Sequence, residues 1–331
     1  METFVDELVK EMRKKKSVLC VGLDPQVKYI PEFILKQGYE EAESEDGREG
    51  AARAFSTFNQ KIIKAVKPYV SIVKPQMAFY EAYGYWGVWA FEKTVQFAKK
   101  QGLLVLEDAK RSDGGDTAQA YAEGHLGKVS KWDRLKAKVF YKALPSFDVN
   151  AMTVMSYIGT SCISPFVDII KEYGKGIFVV DKTSFAPNSE VEQLQTISDL
   201  KVWQEVALLV KEWGKGCEGD YGNNVGVVMG ATYPEDALKM REILPDPFFL
   251  VPGYNLPEGI GQGGDADGAI KGIRDDGYGV IVNSSRGMIY AYKKGPFKCD
   301  PLDFIEAAAK AAEFGRDDLN AALERAGKLA W

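Results

Sequence analysis

Asp108 and Lys110 stand two residues apart in the run Leu106-Glu107-Asp108-Ala109-Lys110-Arg111-Ser112-Asp113-Gly114-Gly115-Asp116-Thr117, directly after the apolar stretch 103–106. The apolar stretch reads as a buried strand. Alternate residues of a strand share a face, so both charged side chains can project into one cavity. Buried charges must be paired, and they tend to mark functional sites. An ammonium kept charged by a neighbouring carboxylate can stabilise developing negative charge and then supply a proton. Asp113 and Thr117 follow at the start of an expected helix.

The elements that must position these groups recur along the chain. Short apolar, β-branched runs lie at 18–21, 71–73, 103–106, 151–154, 177–180, 225–229, 248–251 and 280–282. Helical spacing fills the intervals at 51–66, 86–100, 117–124, 166–173, 202–213, 234–243 and 266–276, and a last helix spans 301–327. Strands without polar alternation imply a parallel sheet covered on both faces. Eight such units predict an α/β fold, a single closed (β/α)8 TIM barrel over residues 1–331 with a closing C-terminal helix. A doubly wound open sheet would announce itself by G-x-G-x-x-G after the first strand; here that strand ends in Gly22-Leu23-Asp24-Pro25. Two segments read as insertions forming solvated loops or an extra helix: 37–50, acidic and polar, and 127–148, basic then aromatic.

In such barrels chemistry sits at the carboxyl ends of the strands. Those ends carry Asp24, then Lys74 and Gln76, then Asp108 and Lys110. Further on come Ser156 and Tyr157, then Asp181, Lys182, Thr183 and Ser184, and after the last strand Asn283, Ser284, Ser285 and Arg286. Taken singly, such residues are often helix caps or surface ion pairs; their concentration argues for function. Gly263 and Gly264 can leave backbone N–H groups facing an anion at the helix start near Ala266. Arg286 adds a planar fork of donors suited to phosphate.

Bulk properties narrow the partners. With 42 basic and 47 acidic residues the net charge is -5, which suggests neither a nucleic-acid nor an anionic-membrane surface. No apolar run approaches the ~20 residues needed to span a bilayer. The N-terminus lacks an apolar signal core. Cys20, Cys162, Cys217 and Cys299 have no paired spacing, and His125 is the sole histidine, so free thiols in a reducing cytosol are expected and a zinc site is not.

With these positions in view, the chain resembles the orotidine 5'-phosphate decarboxylase family, most closely its longer bacterial branch. The landmarks are Gly22-Leu23-Asp24-Pro25, Val73-Lys74-Pro75-Gln76-Met77-Ala78-Phe79-Tyr80, Asp108-Ala109-Lys110-Arg111-Ser112-Asp113, Lys182-Thr183-Ser184 and Asn283-Ser284-Ser285-Arg286-Gly287. The resemblance implies decarboxylation of orotidine 5'-phosphate to uridine 5'-phosphate and CO2, the last step of uridine monophosphate synthesis, in the cytoplasm and without metal or organic cofactor. It also implies a homodimer whose site is shared across the interface. Lys74, Asp108, Lys110 and Asp113 of the second subunit would form an alternating charged network, with Lys110 as the proton donor. Thr117 would reach the neighbouring site, and Asp24 would bind the ribose hydroxyls. Gln76, Thr183 and Ser184 would lie near the pyrimidine, and Gln262 and Arg286 would bind the phosphate. The chain departs from the family at two places: residues 254–261 separate Pro252-Gly253 from Gln262, and Gly114 stands where an apolar residue is usual.

Two other functions compete. Sister enzymes acting on sugar phosphates share Asp-x-Lys-x-x-Asp but use magnesium, with an acidic residue after the second strand; Lys74 stands there in this chain and would repel a metal. A non-catalytic nucleotide-binding barrel would be expected to have lost part of the charged network.

Overall fold

The eight apolar runs form eight parallel strands, and in the computed structural model they close on one another. The structure describes residues 2–185, 190–257 and 263–331. The strands are β1 (Leu19–Leu23), β2 (Ile72–Pro75), β3 (Leu104–Arg111), β4 (Ala151–Met155), β5 (Gly176–Lys182), β6 (Val225–Met229), β7 (Phe249–Pro252) and β8 (Val280–Ser284). Each pairs with its neighbours in chain order, and β8 returns to β1 through Leu19 opposite Val282 and Val21 opposite Ser284. Helices between the strands cover the outside, as a barrel of parallel strands buried on both faces requires.

The helices follow the expected pattern with local differences. Val202–Trp213 and Pro234–Ile243 have the expected bounds, and the last helix runs Phe304–Arg325 after a short 3-10 turn at Pro301–Asp303. The helix expected over 266–276 stops at Ala269. Gly268 and Gly272 weaken helical continuation, and the chain turns to bury Ile270 and Ile273 instead. Ahead of β1 lies the amphipathic helix Phe4–Lys15, with Phe4, Val5, Leu8, Val9 and Met12 buried. Its Phe4 ring meets Phe178 edge-on at 6.1 Å and so closes the amino-terminal end of the barrel.

The two insertions have different outcomes. Residues 37–50 are largely exposed, as expected, and they finish the helix Glu32–Glu40 and begin Gly47–Val66. Glu49 within them is fully buried. It accepts N–H bonds from Glu43 (3.1 Å) and Ser44 (3.0 Å) and pairs with Arg53 at 2.7 Å. Residues 127–148 are neither loop nor helix but an antiparallel hairpin of Lys128–Asp133 with Lys138–Pro145. Val139, Phe140 and Tyr141 favour extended backbone. Phe147, just beyond the hairpin, packs against Phe91 and the His125 ring.

Candidate active site

The carboxyl ends of β1, β2, β3, β5, β7 and β8 surround a cavity of about 350 Å³. Asp24, Lys74, Gln76, Asp108, Lys110, Thr183, Ser184 and Arg286 all line it. These eight positions, each given a role by the resemblance, therefore converge, whereas Ser156, Tyr157, Asp181 and Lys182, also named at strand ends, do not line the cavity.

At the centre is a chain of alternating charges. Lys74 Nζ lies 2.8 Å from Asp108 Oδ2, and Lys110 Nζ bonds Asp108 Oδ1. Lys74 and Asp108 are buried. Burial pushes the Asp108 carboxyl up, but Lys74 and Lys110 outweigh it and hold the group well below the ordinary carboxylate range. Burial likewise pushes Lys74 down, and Asp108 and Asp24 reverse that, leaving the ammonium firmly charged.

Lys110 reaches the cavity by an irregular route. Its φ is +49°, in the left-handed region, and the pairing of β3 with β4 shifts between Glu107 and Arg111. A residue outside the sequence expectation supports this turn. Thr153, buried on β4, accepts the Lys110 N–H at 3.0 Å and donates to Asp108 Oδ1 at 2.9 Å. One hydroxyl thus ties the backbone of the cation to the carboxylate beside it. Nothing local in the sequence marks Thr153; only the β3–β4 register brings it here.

Asp24 ends β1. Burial raises its carboxyl pKa despite Lys74 and a hydrogen bond with Ser285, and its Oδ1 has no partner among the described residues. A buried acceptor without a donor is costly, so a ligand hydroxyl would find a ready acceptor there. Gly22 is required nearby, since a Cβ on it would lie 1.8 Å from Ser285 Oγ. Arg286 is exposed at the start of the helix Arg286–Ile289 and has no acidic partner among the described residues. Gln76 lines the rim and also caps the next helix, accepting the Ala78 N–H at 3.4 Å.

Two more of the expected positions are not in this cavity. Asp113 and Thr117 are exposed outside it, and the Asp113 carboxylate accepts the Gly114 N–H at 2.7 Å. Gln262 lies outside the described residues. The glycine turn also differs from expectation. Gly264 N–H is not open to an anion, because it donates to the Gly253 carbonyl at 3.0 Å, while Asn255 N–H donates to the Gly264 carbonyl at 2.9 Å. This exchange holds Gly253 and Gly264 together across the extra residues. Asp265 then caps the helix through Gly268 N–H at 2.7 Å, placing a carboxylate where an anion had been expected. Asn255 and Gln26, which the sequence did not single out, line the cavity.

Beyond this cavity, the described residues contain no group of three or more His, Cys, Asp and Glu side chains placed to hold a metal, and no helix long and apolar enough to cross a membrane. The four cysteines are free thiols, of which only Cys299 is exposed.

Comparison with known proteins agrees with this geometry. The model of the orotidine 5'-phosphate decarboxylase / HUMPS family matches residues 17–295. The chain is similar to orotidine 5'-phosphate decarboxylases of Caldicellulosiruptor saccharolyticus (35% identical) and Caldicellulosiruptor bescii (36% identical); each match spans 98% of this chain and 100% of the relative. The solved Leishmania donovani OMP decarboxylase superposes with a TM-score of 0.67 at 26% identity, covering 97% of this chain and 98% of that one. The charged array at the barrel mouth and the match along nearly the whole chain lead to one conclusion: this chain belongs to the orotidine 5'-phosphate decarboxylase / HUMPS family.

Proposed function

We propose that the protein is a carboxy-lyase that converts orotidine 5'-phosphate to uridine 5'-phosphate and CO2 in pyrimidine synthesis. The observation that carries this reading is the Lys74–Asp108–Lys110 array inside the cavity. Breaking the bond from C6 to the carboxylate releases CO2 and leaves the electron pair on C6, with no adjacent carbonyl to accept it. The Lys110 ammonium stabilises that pair and transfers a proton to C6; the neutral amine then regains a proton from water. Asp108 keeps Lys110 charged beforehand and crowds the substrate carboxylate. The unpartnered Asp24 oxygen accepts from a ribose hydroxyl, and Arg286 binds the phosphate. Thr183 and Ser184 face the pyrimidine, with Gln76 at the rim.

Asp113 and Thr117 of a second copy complete the site in this reading, which supports a homodimer. Their exposure on the outer turn before and within the helix Gly115–His125 leaves them available to a neighbour. The magnesium-dependent alternative meets a cation, Lys74, bonded to the carboxylate a metal would need. The deciding experiment follows the absorbance of orotidine 5'-phosphate with and without chelator. The expected outcome is enzyme-dependent loss of absorbance, indifferent to chelator. No change, or loss abolished by chelator and restored by magnesium, overturns the proposal.

A further inference from the structure

At the end of β5 a lysine is shielded from water. Lys182 is fully buried, and a buried ammonium persists only with a counter-charge. Glu192 supplies it, with Oε2 at 3.0 Å from Lys182 Nζ. The Tyr233 ring lies over the same nitrogen, 3.6 Å from its centroid, and adds a cation–π contact. Glu192 comes from the segment leading into the helix Val202–Trp213, where its carbonyl accepts the Trp203 N–H at 3.2 Å. The Glu192 carboxylate also takes the Thr183 N–H, at 3.1 and 3.2 Å to its two oxygens. Burial pushes the Glu192 carboxyl up, but Thr183 and Lys182 prevail and hold it below the ordinary range.

The residue tethered in this way begins a wall of the cavity made by Thr183, Ser184 and Phe185. Other contacts fix the same wall from behind. Lys182 carbonyl accepts the Gly230 N–H at 2.8 Å, Thr232 Oγ1 donates to the Ser184 carbonyl at 3.2 Å, and the Tyr233 hydroxyl donates to the Phe185 carbonyl at 2.7 Å. Backbone approaches backbone closely here, since a Cβ on Gly230 would lie 2.5 Å from Ser184 N. Glu192, Lys182 and Tyr233 do not themselves line the cavity. The charged bridge therefore acts on the wall rather than on a ligand.

We propose that Glu192 is a positioning residue for base recognition, its bridge from Lys182 to the Thr183 N–H setting the wall against the pyrimidine. The inference rests on the function proposed above, in which this wall faces the base and Arg286 faces the phosphate. The two are separable because Arg286 follows β8, three strands from β5 around the barrel. A disturbed wall then weakens contacts to the base and leaves the phosphate end alone. A residue that merely supported the fold would weaken both.

The test compares two ligands that share the ribose phosphate and differ in the base. Binding of uridine 5'-phosphate and of ribose 5-phosphate is measured by calorimetry for wild type and Glu192→Gln. The amide keeps the shape and an acceptor for Thr183, but cannot balance Lys182. Uridine 5'-phosphate affinity should fall about tenfold while ribose 5-phosphate affinity stays within about twofold. Equal losses on both ligands, or an unchanged affinity for the nucleotide, overturn the proposal. Should Glu192→Gln fail to fold, Glu192→Asp keeps the charge and shortens its reach, and the same two outcomes apply. Wild-type turnover of orotidine 5'-phosphate is measured first. Its absence overturns the functional reading and this inference together, whereas turnover with a non-selective variant overturns the inference alone.

Discussion

Lys110 is a residue held in place by others. Its backbone adopts a left-handed conformation that a lysine rarely takes, and its ammonium is tied to Asp108. On the proposed mechanism Lys110→Ala removes both the cation facing C6 and the proton donor, so turnover should nearly vanish while the fold persists; near-normal single-turnover decarboxylation by a folded variant would refute the assignment. Thr153 gives a finer test, because it acts on Lys110 and Asp108 without a charge of its own. In Thr153→Val the Lys110 N–H loses its acceptor, and Asp108 Oδ1 loses one donor while keeping Lys110. The kcat should drop about 10- to 100-fold, the equivalent of one or two lost hydrogen bonds in a buried site, with little change in KM. Thr153→Ser restores the hydroxyl and should recover most of the loss. A valine variant as fast as wild type would show that the hydroxyl does not matter, and a serine variant as slow as the valine one would show that the hydroxyl does not suffice without the methyl group.

Among the elements, the loop after β7 carries the extra residues that separate this chain from the family pattern. Its root is anchored twice: Gly253 and Gly264 bond each other, and the buried Tyr254 donates its hydroxyl to Asp318 on the C-terminal helix at 2.8 Å. The last helix thus does more than cover the barrel; it fixes a residue that lines the cavity. Tyr254→Phe should lower stability by about 1–3 kcal/mol, the cost of a lost hydrogen bond to a charged acceptor. It should also raise KM for the nucleotide, because the adjoining Gly253 and Asn255 line the same cavity. Urea denaturation and steady-state kinetics check the two effects, and an unchanged KM would show that the anchor serves stability alone.

At the scale of the whole molecule two predictions concern charge and assembly. The Asp108 carboxyl is held low in the fold by Lys74 and Lys110 against its burial. A depressed carboxyl contributes stability that is fully present above its unfolded value, about pH 4, and is lost as pH falls below it. The urea midpoint of the wild type should therefore decline more steeply below about pH 4 than that of Asp108→Asn. Parallel declines would mean that Asp108 titrates normally. Assembly is tested by mixing Lys110→Ala with Asp113→Ala subunits. In a two-fold dimer with a shared site, one site of each heterodimer collects both defects and the other is intact. Random reassortment should then return roughly a quarter of wild-type activity. Heterodimers confirmed by mass that remain as inactive as their parents would show that Asp113 does not act across an interface.

What the sequence determined by itself is what local pattern encodes. A strand buried on both faces must be apolar along its length, so all eight barrel strands stood out, and their order implied closure. The last residues of such a strand and those just after it meet the barrel mouth wherever the chain closes, so Asp24, Lys74, Asp108, Lys110 and Arg286 were legible as cavity residues from the sequence alone. The tertiary structure decided the partners. Thr153 meets Lys110 through a register shift, Glu192 meets Lys182 from a separate segment, Glu49 is buried within an acidic run, and Gly264 donates its N–H to Gly253. A hydrogen bond depends on ångström-scale placement of groups far apart in the chain. Hydrophobic period fixes which face a residue occupies, but not which donor it meets there.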